Sequence, residues 1–327
     1  MKKSFIRALF FPIVLGFLIL LLLSFFGDLK KTLSLLINFP LGLFLFILLF
    51  NSLGYFIRFL RWEFFLAQIL KKRLPTKISF SIFLSGFAMV ITPLRSGELL
   101  KAYLVKKVTG VGESHTAPIV IMERFTDALS MLILMTAGLL LYRYGIFLFI
   151  LVVLTCLVFI FLIQNRAFAM KILEAASFIP IFKNHFLTKA KNMYESAYVL
   201  TKAQSLILGT AIGILAWSTQ IISNTLLIKN LYSQISLSPA TLILTVAFIF
   251  SFSAALGFSI PAPGGLGVNE TSTAGLLILL LGLPKETAAA ATILIRLSTI
   301  WLAVSLGLIS LFLLTKKLSQ SSRSSTH

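Results

Sequence analysis

Only ten of the 327 residues are acidic, and several of them stand where an apolar chain has least reason to keep a charge. Glu98 lies in "PLRSGELLKAYLV", Asp127 closes "ERFTD", and Glu270 ends "PAPGGLGVNE". Arginines accompany them: Arg95 and Arg124 in the first two strings, and Arg296 in the last apolar run. An ionisable group inside a membrane span costs at least ~2.5–3.5 kcal/mol on insertion scales, so it needs a partner or a role. A guanidinium beside the N-terminus of a helix is chemistry for holding a phosphate or carboxylate. A carboxylate beside it can neutralise it or carry a proton.

Each residue also has a plainer reading. Arg124 and Asp127 are three apart on a helix and could neutralise each other. Arg296 has no acid within four residues. Arg95 could be an anchor at the membrane surface, and Glu98 an N-terminal carboxylate favoured by the helix dipole. Gly264 and Gly265 could simply permit close packing. Asn51, Arg58 and Asn224 are polar groups in or near spans that packing explains well enough.

The elements that must position these groups are membrane helices. Hydrophobic residues make up 58% of the chain, against roughly 45–50% in soluble domains. Apolar runs long enough to cross a bilayer recur at 8–26, 41–57, 118–141, 145–163, 206–228, 241–260, 264–282 and 287–314. In lipid only a helix satisfies its own backbone at this length. The fold class is therefore all-α, a polytopic integral membrane helical bundle of about eight spans, some of them re-entrant or broken. The run at 8–26 is too long for an ordinary signal core and lacks a small-x-small site, so it reads as an uncleaved first span.

The formal net charge of +19 does not point to nucleic acid, because the basic residues alternate along the chain. They concentrate at 58–77, 101–107, 166–202 and in the tail at Lys316, Lys317 and Arg323. This is the positive-inside pattern, and it places both termini in the cytoplasm of a cell whose cytoplasmic membrane holds the chain. The organisation is one membrane domain over 1–327. It has a first half at 1–163, an amphipathic cytoplasmic connector at 164–204, a second half at 205–315 and a short Ser-rich tail at 316–327.

Two stretches break the apolar pattern, at Pro93 and at Pro261 and Pro263, and they look like copies. A shift of 172 residues lays Glu98 on Glu270, Gly110 on Gly282 and Arg124 on Arg296. Each copy reads as a break, an acid, a short helix, a glycine turn and a long span with an arginine in its first half. Counting spans makes the copies opposite in direction, an inverted repeat of the kind that places substrate at discontinuous helices near the midplane. The breaks would then leave free backbone amides facing a polar cavity. By the repeat, Glu98 is the partner of Arg124 and Glu270 the partner of Arg296.

The three quoted strings, in this order, resemble the lysylphosphatidylglycerol synthase transmembrane region, a family of flippase-like integral membrane proteins. The resemblance covers nearly the whole chain and implies lipid handling. In the bifunctional synthases this region precedes an aminoacyltransferase domain, and the sequence here ends at His327 after the Ser-rich tail, so aminoacyl transfer is not carried over. The expectation is a lipid transporter, not an enzyme. It would move an anionic phospholipid or polyprenyl-phosphate lipid held at Arg95, Arg124 and Arg296. Transport would run downhill or be coupled to protons through Glu98, Glu123, Asp127 or Glu270. The alternatives are a scaffold or assembly partner for an envelope-lipid synthase, and an enzyme acting on lipids within the membrane. No catalytic set, no metal set among the three scattered histidines and the single Cys156, no ATP-binding loop and no cofactor site stand out.

Overall fold

The computed structural model describes residues 14, 16, 18, 19, 21, 22, 25, 28–92, 96–142, 146–176, 185–259 and 264–324. Every regular element among them is helical. In order these are α1 (Leu29–Ile37), α2 (Leu41–Leu70), α3 (Thr76–Phe87), a 3-10 turn (Ser96–Leu99), α4 (Leu100–Thr109) and α5 (Glu113–Leu141). There follow α6 (Ile146–Gln164), α7 (Arg166–Ala176), α8 (His185–Leu200), α9 (Ala203–Leu231), α10 (Pro239–Ser259), α11 (Val268–Leu281), α12 (Lys285–Arg296), a π-helical turn (Leu297–Trp301) and α13 (Leu302–Ser324).

Among the described residues, five helical stretches are long and apolar enough to cross a membrane: α2, α6, α9, α10 and the continuous run from Lys285 to Lys317; most of the first apolar run, at 8–26, lies outside them. At 29 residues, α5 is also long enough, at about 43 Å, but carries charges that the bundle must satisfy. Helix α6 is the lipid-facing extreme: Phe147 is 80% and Phe161 60% exposed, a state that water would penalise and acyl chains welcome.

The two halves repeat element by element. The series α3, break, α4, Gly110, α5 is matched by α10, break, α11, Gly282, α12 and α13. Gly110 and Gly282 both end their short helices at positive φ, +76° and +64°. That left-handed cap costs glycine little and any β-carbon more. The halves also exchange partners. Helix α3 packs on α13, and α10 packs on α5. Both contacts are too close for a side chain: a Cβ at Gly307 would lie 2.2 Å from the Ala88 nitrogen, and one at Gly138 would lie 2.2 Å from the Phe248 Cβ. Between them α2 packs along α9, where Ser223 Oγ donates to Asn51 Oδ1 at 2.8 Å across a separation of 172 residues, the repeat shift itself. Asn51 therefore has a specific partner, more than the general packing role expected for it.

The connector is more than a surface element. Leu200 and Thr201 are fully buried, Tyr194 Oη donates to the Ile163 carbonyl at 2.9 Å, and α8 lies against α5. An exposed pair, Arg166 and Glu195 at 2.6 Å, closes its outer side. Such a solvated pair contributes little to stability.

The inversion expected of the two copies yields a prediction. Lys30, Lys229 and Lys285 are exposed at one set of helix ends, and Lys72, Lys107 and Lys317 at the other. Cysteines introduced at the first three should react with an impermeant thiol reagent applied to intact cells, and the last three should be protected. Labelling of position 107 from outside would remove the cytoplasmic hairpin, and with it the inversion.

Candidate functional site

The two breaks meet. The N–H of Gly264 donates to the carbonyl of Thr92 at 3.3 Å, and a Cβ at Gly264 would come 3.0 Å from the Ile91 Cα. Gly264 and Gly265 have φ of +60° and +70°, so a β-branched residue would be strained at either. Gly265 also abuts the Gly257 backbone at 3.3 Å from where a Cβ would sit. Both needs, close approach and left-handed backbone, explain these glycines. Pro93, Arg95, Pro261 and Pro263 lie outside the described residues.

Two of the described amides at the breaks are taken by side chains of the protein. Gly97 N–H donates to Thr92 Oγ1 at 2.8 Å. Gly267 N–H donates to Glu270 Oε2 at 2.7 Å, as Glu270 caps its own helix. Buried donors cost too much to leave open when a side chain is in reach.

Around this junction the interior is charged. Glu270 accepts from Arg296 Nε in a buried ion pair. Glu98 lies 3.5 Å from both Arg124 Nη2 and Lys101 Nζ. Lys101 is fully buried, pairs with Glu123, and sits over the rings of Trp62 at 5.1 Å and Phe83 at 5.5 Å. Asp127 is the hub: it takes Arg61 at 2.9 Å, Arg124 at 3.1 Å and the Trp217 indole N–H at 3.2 Å. Both acid–arginine pairs expected from the repeat are thus present. The Arg124–Asp127 pair is present too, as one edge of a larger network.

The pairing is uneven. Among the described residues, four cations are buried, Arg58, Arg61, Lys101 and Arg296, with four buried carboxylates, Glu98, Glu123, Asp127 and Glu270, while Arg124, partly exposed, joins two of those carboxylates from the edge. Arg58 is the odd one. It is 6% exposed and makes no ion pair within 4 Å of any described carboxylate. Its guanidinium lies 4.3 Å from the Trp217 ring and 5.8 Å from the Tyr55 ring. Cation–π contact of this kind offsets part of its desolvation, and Asp127, beyond ion-pair distance, adds a longer-range attraction.

Arg58, Arg124 and Arg296 all line one cavity of about 100 Å³, between the two breaks and the π-helical turn, together with Asn224, Gly264 and Gly265. Arg58 Nε, Arg124 Nε, Arg296 Nη2 and both amide atoms of Asn224 are buried without a hydrogen-bond partner among the described residues. Buried donors in native proteins are nearly always partnered, so such a cluster marks a place for a missing acceptor. The π-helical turn supports the wall. Its carbonyls at Ser298 and Thr299 are satisfied from α2 by Asn51 Nδ2 at 2.9 Å and Tyr55 Oη at 2.8 Å.

Of the residues singled out in the sequence, Arg124, Arg296, Gly264 and Gly265 reach the cavity. Glu98, Asp127 and Glu270 stand behind it and hold arginines in place. Sequence reasoning counted Arg58, Arg61 and Lys101 among the cytoplasmic basic clusters, yet all three are interior. The signal was there in part: Asn51, Tyr55, Arg58 and Trp62 recur at three- and four-residue spacing, one stripe of α2. A helix that continues to Leu70 carries that stripe well into the bundle.

Paired broken hairpins, two matching half-chains and a buried cation-rich cavity where they meet define a polytopic helical membrane protein of the repeat-built kind. The chain belongs to the lysylphosphatidylglycerol synthase TM region family, whose model matches residues 13–307. It is similar to the UPF0104 membrane protein PH1989 of Pyrococcus horikoshii, with 25% identity over 321 residues, covering 90% of this chain and 94% of that protein.

Proposed function

We propose that this protein is a flippase or transporter that moves an anionic, phosphate-bearing lipid across the cytoplasmic membrane, with both termini in the cytoplasm. The observation that carries the proposal is Arg58, buried without an ion pair among the described residues, in one cavity with Arg124 and Arg296 and their unpartnered donors. Three guanidinium groups with open donors are stabilised by an anion that accepts several hydrogen bonds, and phosphate does this well. The cavity, at about 100 Å³, falls below the ~300–1,000 Å³ of ordinary small-molecule pockets. It suits a phosphate-sized head whose hydrocarbon lies outside this cavity. A phospholipid and a polyprenyl phosphate share that chemistry.

All four carboxylates of the network hold cations, which gives them a positioning role, and downhill movement of lipid needs no coupled ion. The test uses purified protein in liposomes containing a fluorescent phosphatidylglycerol, with a membrane-impermeant quencher outside. Lipid should cross faster than in protein-free vesicles. No acceleration across several head groups and imposed pH gradients would instead favour a scaffold that supports a lipid-synthesising enzyme.

A further inference from the structure

A second cavity adjoins the first. It has a volume of about 480 Å³ and lies among α5, α6 and α10. Arg124 and Phe258 line both cavities, so the two lie on either side of the same side chains. Beyond Arg124 no charged residue lines the second cavity among those described, and its polar lining is three hydroxyls, of Thr155, Ser251 and Ser259. The hydroxyls of Thr155 and Ser259 are turned back onto the carbonyls of Leu151 and Ala255 on their own helices, at 2.8 and 2.9 Å. Along α5 the lining follows one helical stripe from Arg124 to Met135, a length of about 16 Å. That is close to the hydrocarbon depth of a single leaflet, half of a ~30 Å core. Its outer wall, α6, is the helix least covered by protein and most apolar.

We propose that this groove holds one hydrocarbon chain of the transported lipid while Arg124, at its mouth, holds the phosphate of the same molecule. The proposal rests on the phosphate reading of the first cavity and adds the route: lipid enters sideways between α6 and α10, tail along α5 and head first to Arg124. The shared Arg124 carries the assignment. A phosphate at Arg124 has its ester carbon within reach of an apolar channel one leaflet long, and a hydrocarbon chain gains from burial there roughly 25 cal/mol for each Å² removed from water. A soluble anion could use the arginines and would leave the groove empty. A lipid uses both.

The experiment uses the full chain in lipid nanodiscs with a phosphatidylglycerol that carries a photoactivatable diazirine near the end of one acyl chain. A diacylglycerol with the same chain serves as the headless probe. Cross-linked residues are located by mass spectrometry. Adducts from the phosphatidylglycerol are expected at the far end of the groove, around Met131, Met135 and Val152, and about tenfold fewer from the diacylglycerol, since one or two charge-assisted hydrogen bonds are lost. In Ala255→Phe, which places a ring in the groove, groove adducts should fall about tenfold by the same scale. Calorimetric binding of tailless glycerol 3-phosphate should stay at the wild-type level and confirm that the variant is folded. Equal groove labelling by both probes would mean a crevice filled passively by bilayer, and would overturn the tail site. Adducts confined to other helices, with glycerol 3-phosphate still bound, would overturn the tail site and leave the phosphate cavity standing. Absence of both glycerol 3-phosphate binding and head-dependent labelling would overturn the phosphate reading as well.

Discussion

Arg58→Gln is expected to slow transport of an anionic phospholipid by about 30-fold or more while leaving the protein at least as stable as wild type. Removing one partner of a buried charged contact costs ~2–5 kcal/mol, and 1.4 kcal/mol is a factor of ten. The unusual half of the expectation is the stability. Loss of the Arg296 guanidinium strands Glu270, and loss of Arg61 takes one of the two ion pairs of Asp127. Arg58 has no carboxylate within ion-pair distance among the described residues. Its removal therefore breaks no ion pair, and Asp127 keeps both Arg61 and Arg124.

Arg58→Lys should fall between the two. It keeps the charge but loses the planar face against Trp217 and the fork that grips two phosphate oxygens. The measurements are lipid crossing in liposomes and thermal unfolding of the same preparations in detergent. Wild-type crossing by the glutamine variant would show that Arg58 does not touch the transported anion. A parallel loss of crossing and of melting temperature would make it a structural residue. A scaffold would be indifferent to the substitution in both measurements.

The second large effect is on folding. Glu270→Gln should destabilise the protein by ~3–5 kcal/mol, the cost of leaving a buried charge without its partner. Glutamine is a clean probe here because its side-chain oxygen still accepts from the Gly267 N–H, so the helix cap survives and only the charge is removed. Combining it with Arg296→Gln should recover ~1–3 kcal/mol relative to the sum of the single changes. Unfolding of the detergent-solubilised protein by increasing sodium dodecyl sulfate would read all four members of the cycle. Strict additivity would mean that the two side chains do not form the pair.

The repeat was legible because it is written in rare residues. A glutamate, a glycine and an arginine recur at one shift, and in an apolar chain few other residues are informative. The structure gives each a local duty: Glu98 and Glu270 near the starts of the short helices, Gly110 and Gly282 ending them at positive φ, and Arg124 and Arg296 turned to the same cavity. Spans were legible for a similar reason. Bilayer thickness sets a length, and lipid exposure sets a composition. The boundaries moved where polar residues extend a helix past its apolar run, as in α2, which continues from Ile57 to Leu70.

The sequence by itself determined that this is a bundle of apolar helices, that two of its segments are broken, and that each break carries an acid with an arginine 26 residues on. All of these follow from local rules: the backbone must satisfy itself in lipid, proline and glycine interrupt it, and a charge in a span needs a reason. Only the tertiary structure decided which cations are interior and which carboxylates they meet. Arg61 finds Asp127 across 66 residues, Trp217 finds the same carboxylate across 90, and Lys101 finds Glu123 across 22. A lysine or arginine at the edge of an apolar run looks the same whether it ends in water at the membrane surface or in the bundle. Its position is fixed by partners brought from other helices, because a buried charge is stable only where the fold supplies its counter-charges. For Arg58 the fold supplies rings in direct contact and, among the described residues, no ion pair.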